Sequence, residues 1–439
     1  MLALSNKEFF TLIEPLGPWG EDKETGAPIM VAVSGGADSL ALAFLCRQWR
    51  KNVMGLTVDH GLRSTSAEEA SLTKKRLAAF GMPCEIITLS SLFPGSSLAE
   101  RARTARYEVL VQSCIRYGAV DLLVAHHASD QAETVALREQ ANSDRAGLAG
   151  MALIRETAPV RIVRPLLDVP AERLKQRLIE ENLSWVEDPS NKDLKSRRVQ
   201  VRYNLGKNKT LGKESYLLLR KARTAGQERM ENEKVRARIL STQGGTLYSE
   251  GYGFIPEGFA DIYSLRELLR VIGGKRYAPS LKSVSALLPL REATLSGVRI
   301  VKSRKKNQHG WFLLRELSAI QDVHHLLARE SQSALPFLPF LQWDNRFAVY
   351  LPNEVFGQGL ILKKLGEEAA RFKFFYGRKN KRLPYPMAVL RALPALFTAQ
   401  DELVGIPNLI YDNCKTFLHF QIYFQTHQPV LKGEKFIHP

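Results

Sequence analysis

Val31-Ala32-Val33-Ser34-Gly35-Gly36-Ala37-Asp38-Ser39 decides the fold class of this 439-residue chain. A β-prone apolar run ends at Val33, two glycines make the turn, and a helix-compatible segment starts near Asp38. Paired glycines let backbone amides approach phosphate oxygens with no Cβ in the way. The helix start adds unsatisfied N–H groups and the positive end of the helix dipole. Ser34 and Ser39 supply hydroxyl donors, so Ser34, Gly35, Gly36, Ala37, Asp38 and Ser39 form a candidate loop for nucleotide phosphates. Asp38 is the odd member, because a carboxylate repels phosphates; it makes sense if it holds Mg²⁺ or orients a neighbour. The loop has no lysine and the chain has no GxxxxGK[ST], which excludes a Walker A site. The competing reading is an ordinary glycine turn, but S-G-G-x-D-S arises by chance in a chain of this length only roughly once in a thousand.

Outward from this segment, the first 170 residues alternate. Short β-rich runs occur at Ile29–Val33, Val53–Val58, Cys84–Leu89, Asp121–Ala125 and Arg161–Leu166. Helical patterns lie between them. One opens at Ser66 with Glu69 as a capping box and closes at Gly81; another opens at Ser97 with Glu100 and closes at Gly118. A further helix follows Pro170 and runs to about Asn182. Strands alternating with helices predict an α/β fold with a parallel sheet covered on both faces.

Ligands of open parallel sheets bind just past the carboxyl ends of strands. Two more polar segments stand there. Val53–Val58 leads into Asp59-His60-Gly61-Leu62-Arg63, and Asp121–Ala125 leads into His126-His127-Ala128-Ser129-Asp130-Gln131-Ala132-Glu133-Thr134. On a helix Asp130 and Glu133 share a face. They could hold Mg²⁺ together, or one could act as a base. Helix capping and dipole complementation explain such a pair equally well in isolation; the loop at Ser34 tips the balance toward function. His126 and His127 read evenly as site residues or as packing at a strand end, and their spacing does not support a zinc site.

Sixty-two Lys+Arg against 45 Asp+Glu leave a net charge of +17, which points to a polyanionic partner such as nucleic acid. There is no basic amphipathic anchor and no apolar run of spanning length, so a membrane is not expected. Lys7 and Glu8 stand where a signal peptide would be apolar. The four cysteines, Cys46, Cys84, Cys114 and Cys414, form no CxxC pair and suit a reduced, cytoplasmic compartment. Past Asp188 the pattern changes. Residues 190–238 are basic and helix-prone, 241–260 are Gly-rich, and short strands follow at Gly297–Val301 and Trp311–Leu314. From about 335 the chain reads as short strands and turns. Two basic runs, 302–306 and 371–382, are candidates for RNA phosphate contact, against the plain alternative of a solvated charged face.

These motifs, in this order, resemble the PP-loop ATP pyrophosphatase superfamily and, within it, the tRNA(Ile)-lysidine synthetase family. Besides the segments above, Ala99-x-x-Ala102-Arg103-x-x-Arg106-Tyr107, Gly147-Leu148-Ala149-Gly150-Met151 and Asp188-Pro189-Ser190-Asn191-x-Asp193 followed by Arg198 and Arg202 carry the likeness. It is dense from about 28 to 205. Beyond, it rests on Leu295-x-Gly297, Arg315-Glu316 and Trp343-Asp344-x-Arg346-Phe347. The resemblance implies a Rossmann-like PP-loop catalytic domain over 1–212. A helical or mixed tRNA-binding domain over 213–330 and a small β-rich tRNA-binding domain over 331–439 would follow. It implies ATP and Mg²⁺ as cofactors, and isoleucine tRNA with a CAU anticodon and free L-lysine as substrates. Asp38, Asp130, Glu133 and Arg138 would be catalytic, with Asp38 and Asp130 holding the metal. Asp59 and His60 would join Ser34–Ser39 around ATP, and His127, Asn191, Arg198 and Arg202 would contact substrate. A homodimer is compatible with the sequence.

The chain departs from the family's pattern in three places, the first being Ser129, which stands where the family usually shows an aspartate before Asp130. Ala141-Asn142-Ser143-Asp144 stands where the family shows Arg-Gly-Ser-Gly, and Val199 stands where it shows an asparagine. Either Arg138 or Arg145 takes the place of the lost arginine, or the chain is an impaired tRNA-binding paralogue. A third reading, tRNA 2-thiolation, needs paired cysteines or an iron–sulfur site that this sequence lacks.

Overall fold

The computed structural model describes residues 1–23, 25–61, 65–89, 98–157, 160–187, 197–205, 212–304, 308–326, 340–352, 355–371, 386–407, 418–426 and 429–438. It divides into two compact units, Met1–Asn232 together with Gly433–Pro439, and Glu233–Lys432.

The first unit is built on strands β1 (Ile29–Ala32), β2 (Val53–Asp59), β3 (Cys84–Thr88), β4 (Asp121–Leu123), β5 (Ile154–Glu156) and β6 (Arg161–Val163). Their order in the sheet is β3-β2-β1-β4-β6-β5. All pairings are parallel except that of β5 with β6. Helices α1 (Asn6–Ile13), α2 (Ala37–Trp49), α3 (Ser66–Ala79), α4 (Leu98–Arg116), α5 (Ala128–Gln140), α6 (Ala171–Glu180) and α7 (Arg197–Leu205) connect and cover the strands. All four residues of β1 are buried, as a strand covered on both faces requires. Val31 and Val33 meet Leu40, Ala41 and Leu45 of α2, Leu123 of β4, Leu174 and Leu178 of α6, and Phe9 and Ile13 of α1 in one core.

The α/β class and the parallel sheet follow the sequence expectation, with three local corrections. The chain carries a sixth strand, β5, whose Ile-Arg-Glu sequence has no apolar run and which sits at the sheet edge. The box expected at Ser66 is not formed: Thr65 is the N-cap, Ser66 is the first helical residue, and Thr65 Oγ1 donates to Glu69 Oε1 at 3.0 Å. A true capping box opens α1 instead, with Ser5 Oγ accepting from Glu8 N at 3.2 Å and Glu8 Oε2 from Ser5 N at 3.0 Å. Ser97 lies outside the described residues.

Helix α8 (Lys213–Thr242) carries the chain from the first unit into the second. The second unit holds β7 (Thr246–Leu247), β8 (Gly253–Pro256), α9 (Ile262–Ile272), α10 (Leu281–Ser285), β9 (Ala293–Leu295), β10 (Val298–Lys302) and β11 (Gly310–Arg315). These strands form an antiparallel sheet in the order β7-β8-β11-β10-β9. Leu265, Leu268, Leu269 and Ile272 of α9 pack on Ile255 and Leu313. A second sheet contains β12 (His324–His325), β13 (Leu341–Trp343), β14 (Phe347–Tyr350), β15 (Ile361–Lys364), β16 (Pro394–Phe397), β17 (Leu403–Pro407) and β18 (Leu418–Phe424), with α11 (Met387–Arg391) before β16. Its order is β12-β15-β16-β17-β18-β14-β13. Buried Asp344 there accepts from Arg315 Nη2 at 2.7 Å and from Arg346 Nε at 2.6 Å.

The boundaries between the two units fall within α8, after Asn232, and at Lys432/Gly433. No helix among the described residues is long and apolar enough to cross a membrane.

Candidate active site

The turn between β1 and α2 is held by its own serines. Ser34 N donates to Ser39 Oγ at 3.1 Å, and Ser39 Oγ donates to the Gly36 carbonyl at 3.0 Å. The two glycines differ. Gly35 has φ +85°, and a Cβ on it would stand 2.4 Å from Thr73 Oγ1, so the fold itself requires glycine. Gly36, the N-cap of α2, has φ −74°, and a Cβ there would meet nothing nearer than 3.7 Å. Packing leaves room for a Cβ at Gly36, although glycine also suits an N-cap position. Clear space above an N-cap amide suits a phosphate group.

The end of β4 meets this turn. His127 lies between two carboxylates, its Nε2 being 3.4 Å from Asp38 Oδ2 and 3.5 Å from Asp130 Oδ2. Its backbone N also donates to Asp130 Oδ2 at 3.2 Å. Burial depresses the basicity of His127, but the Asp38 hydrogen bond and the charges of Asp130, Asp38 and Glu133 outweigh it and raise its pKa overall. Asp38 Oδ1 is buried with no hydrogen-bond partner among the described residues.

One turn along α5, Glu133 is 1% exposed. Two arginines of α7 hold it. Arg198 Nε donates to Glu133 Oε2 at 2.9 Å and its Nη2 to Asp130 Oδ1 at 3.1 Å. Arg202 Nε donates to Glu133 Oε1 at 2.6 Å. Asp38, His127, Asp130, Glu133, Arg198 and Arg202 thus form one connected cluster beside the glycine turn. Charge-assisted pairs of this kind are the strong hydrogen bonds of protein interiors.

Other expected residues stand apart. Asp59 Oδ1 accepts from Gly61 N at 2.9 Å and so shapes its own loop. His60 sits by Arg106; burial and that charge lower its pKa, and its Nδ1 is buried without a partner. Arg138 donates through Nη1 to the carbonyls of Gly147 and, at 2.8 Å, Gly150, so it anchors the loop beyond α5. Arg145 pairs with Glu228 on α8. Asn191, Lys305, Lys306 and residues 372–382 lie outside the described residues; Arg371, which is described, lies 3.7 Å from Glu368.

Arg164, at the end of β6, was missed by sequence reasoning. It is 5% exposed and donates to the Ala152 carbonyl at 2.7 Å and, through Nε, to His126 Nδ1 at 3.3 Å. Burial, then the charges of Arg164, Arg103, Arg198 and Arg106, push His126 well below the usual histidine range, so it is neutral. Such a gathering of arginines suits an anionic ligand. The strand-end rule that singled out Asp59 and His126 would have found Arg164 as well.

Burial raises the pKa of Cys46, Cys84 and Cys114, which gives none of them thiolate character. Among the described residues no three His, Cys, Asp or Glu side chains are grouped to hold a metal by themselves.

The PP-loop domain family matches residues 5–209. A tRNA(Ile)-lysidine synthase of Ruegeria pomeroyi is 32% identical over 86% of this chain and 87% of its own length. A protein of the same description from Mesorhizobium japonicum is 32% identical over 86% of this chain and 84% of its own. One from Rickettsia bellii is 28% identical over 88% and 90%. Among solved structures, a U34-tRNA thiolase from Methanococcus maripaludis aligns with a TM-score of 0.40 and 17% identity, over 51% of this chain and 79% of that one. With the glycine turn, the ordered motifs and relatives matched along most of their length, the chain belongs to the tRNA(Ile)-lysidine synthase family.

Proposed function

We propose that this chain uses ATP to join free L-lysine to C2 of the wobble cytidine in isoleucine tRNA with a CAU anticodon. The C2 oxygen attacks the α-phosphorus of ATP and the bond to pyrophosphate breaks. The lysine ε-amine then attacks C2, the C2–O bond breaks, AMP leaves, and the amine sheds its protons, giving lysidine. An oxygen bound to C2 is a poor leaving group until adenylation makes it a good one.

The observation that carries this reading is the Asp130–Glu133 pair, held by arginines beside a glycine turn with clear space at Gly36. In the reading, the turn amides and Ser34 cradle the phosphates as charge develops on pyrophosphate. Asp130 and Glu133 receive the lysine ammonium at a place where guanidinium groups now sit. Asp38, whose Oδ1 is buried with no hydrogen-bond partner among the described residues, would hold Mg²⁺. The oxygens of Asp130 already have partners, so Asp38 is the stronger ligand of the two. When bound, the ion neutralises charge on the departing pyrophosphate. Arg106 and Arg164 supply positive charge for the adenylate or the RNA backbone, and Asn191 would contact the adenylate. Arg138 acts by positioning its loop. The surplus of +17 and the residues of 213–330 and 331–439, including the runs at 302–306 and 371–382, serve tRNA binding. A tRNA substrate supports a cytoplasmic location.

AMP release measured with ATP, lysine and cognate transcript, and with each left out in turn, tests the proposal. Release that requires all three supports ligation; no release with all three present refutes it.

A further inference from the structure

The last described residues of the chain belong to the first unit, and they are tied into it in three ways. Along the backbone, Leu153 N donates to the Lys435 carbonyl at 2.7 Å and Lys435 N to the Ile154 carbonyl at 3.4 Å. This covers the edge strand β5, whose groups would otherwise be open. In the apolar layer, Phe436 is 7% exposed and packs with Ala149, Ala152 and Ala225. Gly226 of α8 makes room for it: a Cβ there would stand 2.5 Å from Phe436 Cβ. Glycine inside a helix costs about 1 kcal/mol relative to alanine, so its presence calls for a packing reason of this kind. In the charged layer, Glu434 pairs with Arg229, whose guanidinium lies 4.8 Å from the Phe436 ring centroid.

This segment touches the active site through one loop. Ala149 and Ala152 flank Gly150 and Met151, which face Gln131. Gln131 Nε2 donates to the Met151 carbonyl at 3.0 Å and Met151 N to Gln131 Oε1 at 2.7 Å. Gly150 has φ +69°, and a Cβ on it would stand 2.5 Å from Gln131 Oε1, so the loop is seated directly on that side chain. Gln131 is 4% exposed and lies between Asp130 and Glu133 on α5. Arg138 holds the same loop from its other side through the Gly147 and Gly150 carbonyls. Glu434 acts on the charge of Arg138 as well as pairing with Arg229.

We infer that Gly433–His438 is a positioning element for the Asp130 and Glu133 carboxylates, acting through the 147–152 loop and Gln131. Phe436 is the central residue. No covalent chemistry is involved. The segment fixes where α5 begins relative to the sheet, and ångström-scale misplacement of reacting groups is costly in rate.

Two substitutions test this from opposite sides. Phe436→Ala empties the pocket, while Gly226→Ala fills it from the helix and should, on helix propensity alone, stabilise α8. Both are expected to speed hydrogen exchange of the amides at 148–154 by about tenfold or more. The kinetic readout rests on the ligase reading above: lysine KM should rise about tenfold with ATP KM unchanged, whereas mere loss of folded enzyme lowers kcat alone. Phe436→Leu, which refills the pocket, should restore both. Wild-type exchange at 148–154 in both variants, or faster exchange with wild-type lysine KM, overturns the inference. A wild-type chain that releases no AMP refutes the ligase reading instead, and the exchange result still decides the role of the segment.

Discussion

Arg202 grips Glu133 with two nitrogens: Nε lies 2.6 Å from Oε1 and Nη2 lies 3.2 Å from Oε2. Glu133 is almost wholly buried, and Arg198 as well as Arg202 donates to its carboxyl group. In the proposed reaction, a lysine ammonium binding there would take the place of a guanidinium on Glu133. Glu133→Gln keeps the shape and removes the charge. It is expected to lower kcat/KM for lysine about 100-fold, the range for unpairing a buried charge, and to leave ATP KM unchanged. Steady-state titrations of both substrates check this.

The two glycines of the turn should respond oppositely to the same change. Gly35→Ala forces a side chain into the left-handed region and against Thr73, and should cost stability by about 1–2 kcal/mol or more. Gly36→Ala meets no protein atom in close contact, so its cost in stability should be no more than that of alanine at an N-cap, about 1 kcal/mol or less. Its methyl group occupies the space assigned to phosphate, and ATP KM should rise at least about tenfold. Thermal melts beside ATP titrations separate the two effects.

Asp38 gives a third test. Its Oδ1 has no hydrogen-bond partner among the described residues and its Oδ2 lies 3.4 Å from His127 Nε2, a contact that the side-chain oxygen of Asp38→Asn also makes, so the substitution should leave the fold largely intact. Turnover should nevertheless fall about 100-fold, as loss of one electrostatic stabiliser typically does. Chelating Mg²⁺ should impose a similar loss on the wild-type chain and little further loss on the variant. Full activity of Asp38→Asn would remove the metal assignment.

Much of this was legible in the sequence, for a physical reason. Apolar runs separated by helical patterns report local periodicity, and they located β1, β2, β3, β4 and β6. The strand-end rule then placed Asp38, His127, Asp130 and Glu133 near one another. What periodicity does not carry is long-range pairing. β5 has no apolar run and exists because β6 and Lys435 lie alongside it. The resemblance marked Arg198 and Arg202 as substrate contacts, and only the packing of α7 shows them on Glu133. Arg138 looked like a replacement for the family arginine, but its guanidinium is taken by loop carbonyls that no local pattern announces. Phe436 lies more than 200 residues from Gly226, and only the packed structure joins them.

Acid should weaken the first unit through His126. Its folded-state pKa lies well below that of an exposed histidine, because burial and the charge of Arg164 oppose protonation. As pH falls below about 6.5 the unfolded chain takes up a proton that the folded chain does not, so stability declines by up to about 1.4 kcal/mol per pH unit for this group. His126→Asn keeps an acceptor for Arg164 and removes the titration. Melting temperature between pH 7.5 and 5.5 should fall less steeply in the variant; equal slopes would show that His126 is not held neutral.

The most direct test of the central claim is incorporation of labelled lysine into tRNA. Purified chain, ATP, Mg²⁺ and labelled lysine are incubated with a CAU-anticodon isoleucine transcript, and with the same transcript carrying uridine at the wobble position. Nuclease mapping then locates the label. One lysine per tRNA at the wobble cytidine, with none on the uridine control, is the predicted result. Absence of label from the cytidine transcript, or label elsewhere in the RNA, would contradict it.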